Sequence, residues 1–160
     1  MTLKIESIVE NDKADIEEMI SHFWGDATIV VHSDIFHPTE LAGLKAKIGT
    51  SIVGFLHYLI MGEECEIITL ASFEQGQGIG SALLAKIEQI ARAKQCHKLI
   101  LTTTNDNLYA LGFYQRRGFY LTELKPGQVD ISREIKPTIP LVGENNIPLR
   151  DELQLEKMIV

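Results

Sequence analysis

The sequence predicts a mixed α/β domain built on one central sheet. Three observations carry this reading. The first half holds strand-like runs joined by tight turns. A glycine loop, Gln75-Gly76-Gln77-Gly78-Ile79-Gly80-Ser81, then separates a strand-like run from a helix-like one. The remainder alternates strand and helix. With 160 residues, 45% of them hydrophobic, the chain suffices for one domain with a real core and is too short for two ordinary ones. A single domain over residues 1–160 is expected.

The elements follow in order. Leu3 to Val9 alternates weakly and reads as a strand. Asp12 is placed to cap a helix running to about Trp24, with Ile16, Met19, Ile20 and Phe23 on one face. Ala27 to Val31 reads as a short strand and His37-Pro38-Thr39-Glu40 as a turn or short helix. Gly43 to Ile48 and Ser51 to Ile60 form a hairpin around Gly49-Thr50. Gly62-Glu63 turns the chain into a strand from Glu64 to Ser72, whose alternation puts Glu64, Glu66, Ile68 and Leu70 on one face.

After the glycine loop, Ile79, Leu83, Ile87, Ile90 and Ala91 recur at helical spacing up to about Lys94. His97 to Thr104 is a strand. Asn105 or Asn107 caps the next helix, which Arg116-Arg117-Gly118 ends. Phe119 to Leu124 and Val129 to Ile135 read as strands around the Lys125-Pro126-Gly127 turn. Ile139 to Gly143 is loop-like, and a short helix is expected from about Leu149 to Met158.

The formal charge of −7 and the pI of about 5.2 argue against nucleic acid, whose binding rests on neutralising phosphates. They are compatible with a cationic or amine substrate, though most acidic surfaces are simply solvated. Met1 to Glu6 has no apolar signal-peptide core, and the longest apolar stretch, Gly54 to Gly62, is interrupted by His57 and too short for a membrane span. No membrane association and a cytoplasmic setting are expected. Cys65 and Cys96 offer neither a disulfide framework nor metal spacing and read as buried, idle thiols. His22, His32, His37, His57 and His97 lack metal-ligand spacing, so no metal is expected.

A glycine loop opening a helix makes an anion site, because the first N–H groups are unpaired and the dipole is positive there. Three phosphate loops compete. The lysine-bearing loop fails, since no lysine follows Gly80. The dinucleotide fingerprint is poorly matched: Gly76, Gly78 and Gly80 alternate, and Ser81 stands where its third glycine belongs. The third pattern, Gln/Arg-x-x-Gly-x-Gly/Ala, fits Gln75 to Gly80. A second pattern follows downstream: Asn107-Leu108-Tyr109-Ala110-Leu111-Gly112-Phe113-Tyr114, then Gly118-Phe119.

Together the two patterns resemble the GNAT superfamily of N-acetyltransferases, and most closely the bacterial branch with Thr-Thr-Asn-Asp-Asn-Leu and Phe-Tyr-Gln-Arg-Arg-Gly-Phe, here Thr103 to Phe119. The tail Ile147-Pro148-Leu149-Arg150-Asp151-Glu152 resembles that branch too. The resemblance implies a mixed sheet of about seven strands flanked by helices and splayed at its fourth and fifth strands. It implies acetyl-CoA as acyl donor, lying against that splay.

By the same resemblance, backbone N–H groups of Gln77, Gly78, Ile79, Gly80 and Ser81, with Gln75 at the edge, hold the cofactor pyrophosphate. Relatives often carry Arg or Lys in this loop; here Gln75 and Gln77 leave it without a cation. Asn107 matches the asparagine that reaches the cofactor arm, and it equally suits a helix N-cap. Tyr114 matches the general acid; a phenol of pKa about 10 can protonate a departing thiolate of pKa about 8.5. Its plain alternative is an aromatic packed beside Phe113 and Phe119. A backbone N–H near Leu70 or Ala71 would hold the thioester oxygen. Glu66 is the candidate base, or else a solvated edge carboxylate. The base has real work: freeing an amine of pKa about 10.4 at neutral pH costs about 4.6 kcal/mol. Trp24, His32, Arg133, Lys136, Arg150, Asp151 and Glu152 are candidates for the acceptor pocket; the last three also suit a helix start.

The leading reading is therefore an acetyl-CoA-dependent N-acetyltransferase, moving acetyl to a primary amine of a small molecule or peptide by direct attack in a ternary complex. A homodimer is compatible with the resemblance. A CoA-binding sensor or interaction module without turnover is the alternative from another class. A nucleotide-binding regulatory domain would use the glycine loop alone and ignore Asn107 to Phe119.

Overall fold

The computed structural model describes residues 2–74 and 76–160. A seven-stranded mixed sheet runs through it in the order β1-β4-β5-β6-β7-β9-β8, and β2 and β3 form a separate hairpin. The strands are β1 (Leu3–Ser7), β2 (Ile29–Val31), β3 (Asp34–Phe36), β4 (Ala42–Ile48), β5 (Ser51–Met61), β6 (Glu64–Ser72), β7 (Lys98–Thr104), β8 (Tyr120–Lys125) and β9 (Glu152–Met158). The helices are α1 (Lys13–Trp24), α2 (Ile79–Ala93), α3 (Leu108–Arg116) and α4 (Gln128–Ile135). The expected fold class and its approximate strand number are those observed.

Turn residues explain the hairpins. Gly49 at φ 63° and Gly62 at φ 60° supply the left-handed backbone that the β4–β5 and β5–β6 turns need. The amphipathic spacing of α2 buries Ile79, Leu83, Ile87 and Ala91 against one face of the sheet, with Leu56, Cys65, Ile67, Leu99 and Leu155. Each fully buried Leu or Ile contributes roughly 1.5–3 kcal/mol. On the other face, Ile16 and Ile20 of α1 pack with Phe55 and Ala71. Phe23, placed on the same helical stripe, is 53% exposed and looks into a cleft. Asp12 stands before α1 without accepting a bond from its first turn; its carboxylate instead takes the Val9 N–H at 2.8 Å and Lys45 Nζ at 2.6 Å.

Two expected elements are reversed. Val129 to Ile135 is not a strand but lies in α4. The apolar alternation of Val129 and Ile131 misleads, because the buried stripe is Val129, Ser132 and Lys136, at helical spacing, while Ile131 and Ile135 face outward. The segment from Leu149 to Met158 is not a helix but contains β9. Its Glu, Leu, Gln, Lys and Met are good helix formers, yet the open edges of β7 and β8 pair it on both sides. Tertiary pairing overrides local propensity there.

The relationship that positions the site lies between β6 and β7. These two parallel strands pair from Glu64↔Lys98 to Ile67↔Leu101. Beyond that point β6 continues to Ser72 and β7 to Thr104 without further pairing. The sheet is splayed there. At the same point β6 carries a bulge: Thr69 pairs with His57 and Ile67 with Tyr58, so Ile68 has no partner of its own on β5. The bulge shifts the phase of the strand. Ile68 packs in the α1-side core, whereas Leu70 packs in the α2-side core. Leu70 therefore does not share a face with Glu66 and Ile68, as strict alternation predicts.

Candidate active site

A cavity of about 1300 Å³ fills the splay and reaches both faces of the sheet. The α2 side is built from the glycine loop and α3. Gly78, at φ 71°, stands before α2 and takes a left-handed turn that favours glycine. The first helical bond there is Ala82 N–H to Gly78 O at 3.0 Å. The N–H groups of Ile79, Gly80 and Ser81 precede it, and all three residues line the cavity. A side chain at Gly76 or Gly78 would meet no atom within 4 Å, so the space before the helix is open. Gln77 is exposed and does not line the cavity. Gln75, named at the edge of this cradle, lies outside the described residues.

The cradle does have a cation, and it comes from another helix. Arg117, just past α3, lines the cavity. Its Nε donates to Ser81 Oγ at 3.0 Å and its Nη1 to Phe113 O at 2.9 Å. Its guanidinium lies over the Phe113 ring, 3.6 Å from the centroid. In the sequence Arg117 reads as part of a helix stop and of the Phe-Tyr-Gln-Arg-Arg-Gly-Phe run, with no sign of this contact.

Asn107 is the N-cap of α3 and also a wall of the cavity. Its Oδ1 caps α3 by accepting from Ala110 N–H at 3.1 Å, and the residue lines the cavity. Its neighbours Asn105 and Asp106 brace the chain, and Asp106 lines the cavity as well. Asn105 Oδ1 accepts from the N–H groups of Arg150 and Asp151, at 3.0 and 2.9 Å, and so steers the chain into β9. Buried Asp106 accepts from Glu144 N–H at 2.8 Å and fastens the 143–146 loop.

Tyr114 lines the cavity, edge-on to Phe113 and Phe119 at 5.2 and 5.4 Å. Burial pushes its phenol well above the ordinary value, so the proton stays on oxygen. Leu70 and Ala71 line the opposite wall. Phe73 N–H bonds to Val53 O on β5 at 2.9 Å, and strand alternation turns Ala71 N–H the same way. The N–H of Leu70 therefore points away from β5, toward the splay.

The α1 side is lined by Trp24 at the end of α1, Ile29 and Val31 of β2, Val129, Ser132 and Lys136 of α4, and Glu152 at the start of β9. Burial raises the Glu152 carboxyl, partly offset by the His32 N–H that donates to it at 3.1 and 3.2 Å. His32, at φ 42°, lies between carboxylates: its Nε2 is 2.9 Å from Glu66 and its Nδ1 2.9 Å from Asp34. Neither His32 nor Glu66 lines the cavity; they stand behind Glu152. The remaining acceptor candidates are elsewhere. Arg133 donates to the carbonyls of Ile139, Pro140 and Leu149. Asp151 accepts from Gly127 N–H at 2.9 Å, and Arg150 is exposed. None of these three lines the cavity.

Cys65 and Cys96 are buried and line no part of the cavity, and burial pushes the Cys65 thiol up to about 12. Among the described residues, no helix is long and apolar enough to cross a membrane.

A splayed sheet with a helix N-terminus on one side of the gap and a second pocket on the other suits group transfer from a phosphate-bearing donor. The chain belongs to the acetyltransferase (GNAT) family, whose model matches residues 9–119. It is 41% identical to the protein YxbD of Bacillus subtilis (strain 168) over 88% of this chain and 92% of that one. It is 28% identical to a glucosamine 6-phosphate N-acetyltransferase of Candida albicans over 74% of this chain and 77% of that one. The fold matches a Bacillus subtilis acetyltransferase solved in complex with CoA, with a TM-score of 0.70 and 18% identity over 99% of this chain and 100% of that one. The protein is an acetyltransferase, and acetyl-CoA is its acyl donor.

The residues present fit that donor. The open glycine cradle, the helix N–H groups and Arg117 suit its pyrophosphate, and the gap between β6 and β7 suits its extended arm.

Proposed function

We propose that the protein acetylates a primary amine of a small molecule or peptide by direct attack within a ternary complex. One observation carries this reading: the cradle of α2 and the pocket behind α4 open into the same cavity through the gap between β6 and β7. Donor and acceptor can meet there without a covalent enzyme intermediate. The buried cysteines, and the absence of a cysteine or histidine among the described lining residues, agree with that.

Acetyl-CoA, when bound, supplies an acetyl group activated as a thioester. The chain's residues then have distinct tasks. Leu70 N–H donates to the thioester oxygen as negative charge grows on it. The amine nitrogen bonds to the carbonyl carbon as the carbon–sulfur bond breaks, and Tyr114 gives its phenolic proton to the departing sulfur. The proton lost by the amine passes to Glu152, which lines the cavity, or by way of water to the Glu66 carboxylate. Holding both reactants in one gap supplies much of the acceleration.

The position of Glu66 behind His32 favours one competing reading, a CoA-binding module in which that pair is structural. Calorimetry with CoA and a thiol-release assay over a panel of amines separate the two. Binding with turnover supports the enzyme. Binding with silence across the panel supports the module, and no CoA binding ends both.

A further inference from the structure

The acceptor half of the cavity has a chemistry of its own. Glu152 is 3% exposed, yet it lines the cavity, and among the described residues no lysine or arginine comes within ion-pair distance of it, Lys125 acting on it only from farther off. Its two oxygens share a single N–H donor, that of His32. Ser132 is 2% exposed, lines the same half, and its hydroxyl has no hydrogen-bond partner. A buried hydroxyl and a buried carboxylate left in this state are costly unless something polar comes to meet them. Around them stand Trp24, Ile29, Val31, Val129 and Ile139, an apolar wall.

The cations of this region are already engaged. Lys136 Nζ donates to Trp24 O at 2.7 Å and Thr28 O at 2.6 Å, and is 3.1 Å from Asp26. Its three protons are thereby taken. Arg133 is spent on three carbonyls and Asp130. Arg117, the other cation among the described lining residues, belongs to the cradle of α2. Lys125, the cation that bears on Glu152 from β8, does not line the cavity, so a phosphate or carboxylate on the acceptor would find no free cation among the described lining residues of this half.

We infer that the acceptor is a small cationic amine with an apolar body, its ammonium taken by Glu152 and its nearest polar atom by Ser132 Oγ, and that phosphorylated amino sugars are excluded. This rests on the N-acetyltransferase reading and narrows it to a substrate class. The deprotonation needed for attack then starts from an ammonium held against a carboxylate.

The test compares 2-phenylethylamine with glucosamine 6-phosphate, using acetyl-CoA and thiol release. The aryl amine should exceed the sugar phosphate in kcat/KM by about 100-fold or more, the scale of one unmatched buried charge. Glu152→Gln should raise KM for the amine by about tenfold or more, and Ser132→Ala by about threefold, the scales of a charged and a neutral hydrogen bond. The Kd for CoA should stay within about twofold, since neither residue touches the cradle. Ser132→Ala removes only a hydroxyl and is expected to fold, so it stands if Glu152→Gln does not. Preference for the sugar phosphate, or an unchanged KM in both variants, overturns the inference while leaving the N-acetyltransferase reading intact. If no amine turns over although CoA binds, that reading fails by itself. Ligand-observed NMR of 2-phenylethylamine on the CoA-loaded protein then decides the inference: binding that Ser132→Ala weakens supports it, and no binding overturns it.

Discussion

Arg117 Nε donates to Ser81 Oγ across 3.0 Å, and this bond ties the end of α3 to the first turn of α2. It places a guanidinium beside helix N–H groups that carry no intrahelical bond. Arg117→Ala should raise the Kd for CoA by about tenfold, the scale of one charge-assisted hydrogen bond to phosphate. Its kcat should change little. Titration calorimetry at two salt concentrations checks this, and a Kd equal to wild type at both would remove Arg117 from the cradle.

A side chain at Gly80 would sit 3.0 Å from the Phe113 ring, on which Arg117 rests. Gly80→Val should therefore abolish measurable CoA binding and cost roughly 1–3 kcal/mol of stability through overpacking. Chemical unfolding and calorimetry on the same sample report the two effects. Full CoA affinity in this variant would show that the loop tolerates displacement.

Tyr114→Phe keeps the ring contacts with Phe113 and Phe119 and removes only the hydroxyl. The expected result is a loss of about 100-fold in kcat with little change in KM for acetyl-CoA. Because burial raises this phenol above its ordinary value, it stays protonated through neutral and mildly alkaline pH. The alkaline limb of the wild-type rate profile should then persist in Tyr114→Phe. An unchanged kcat excludes Tyr114 from the chemistry.

His57 gives a pH prediction for stability. It is 1% exposed, with Nδ1 2.7 Å from Thr69 Oγ1, and burial lowers its pKa from an ordinary 6.5 to about 4. The unfolded chain binds a proton at a pH where the folded one does not. Stability is thus fully present above pH 6.5 and falls as pH drops toward 4, by about 3 kcal/mol in total. Urea unfolding of wild type and His57→Gln across this window should show their difference changing by that amount. Parallel curves would assign the acid sensitivity to other groups.

Arg133, chosen from sequence as an acceptor ligand, acts instead on the loop that walls the pocket. Its bonds to Ile139, Pro140 and Leu149 carbonyls hold that loop against α4. Arg133→Ala should lower stability by about 2 kcal/mol and raise KM for the acceptor, with CoA affinity retained. A variant with wild-type Tm and KM would show the clamp to be dispensable.

The parts of the fold legible in the sequence are those that glycine punctuates. Gly49, Gly62 and Gly78 mark turns by their left-handed backbone, and the edges of β4, β5, β6 and α2 fall beside them. Elements defined by distant partners were not legible. Glu152 to Met158 looks helical by composition and becomes β9 because β7 and β8 offer open edges. The bulge at Ile68 has no signature residue, so the change of face at Leu70 was hidden. In the candidate site, Asn107 and Tyr114 were found through local motifs, and both line the cavity. Arg117 and Ser132 were missed because their significance arises only when α3 meets α2 and α4 meets β9 across the gap.

The position of β9 has a consequence for how the molecule becomes competent. It lies between β7 and β8, so a later segment of chain must insert between two earlier ones. Until it does, β8 has no neighbour in the sheet, and Glu152 is not facing His32. Sheet completion and maturation of the acceptor pocket are therefore one event. A chain still emerging from the ribosome can assemble the cradle of α2 first, but it gains its acceptor carboxylate only when the strand bearing it arrives. Long-range pairing of this kind is slow relative to local hairpins. During biosynthesis, the capacity to hold the donor should precede the capacity to use it.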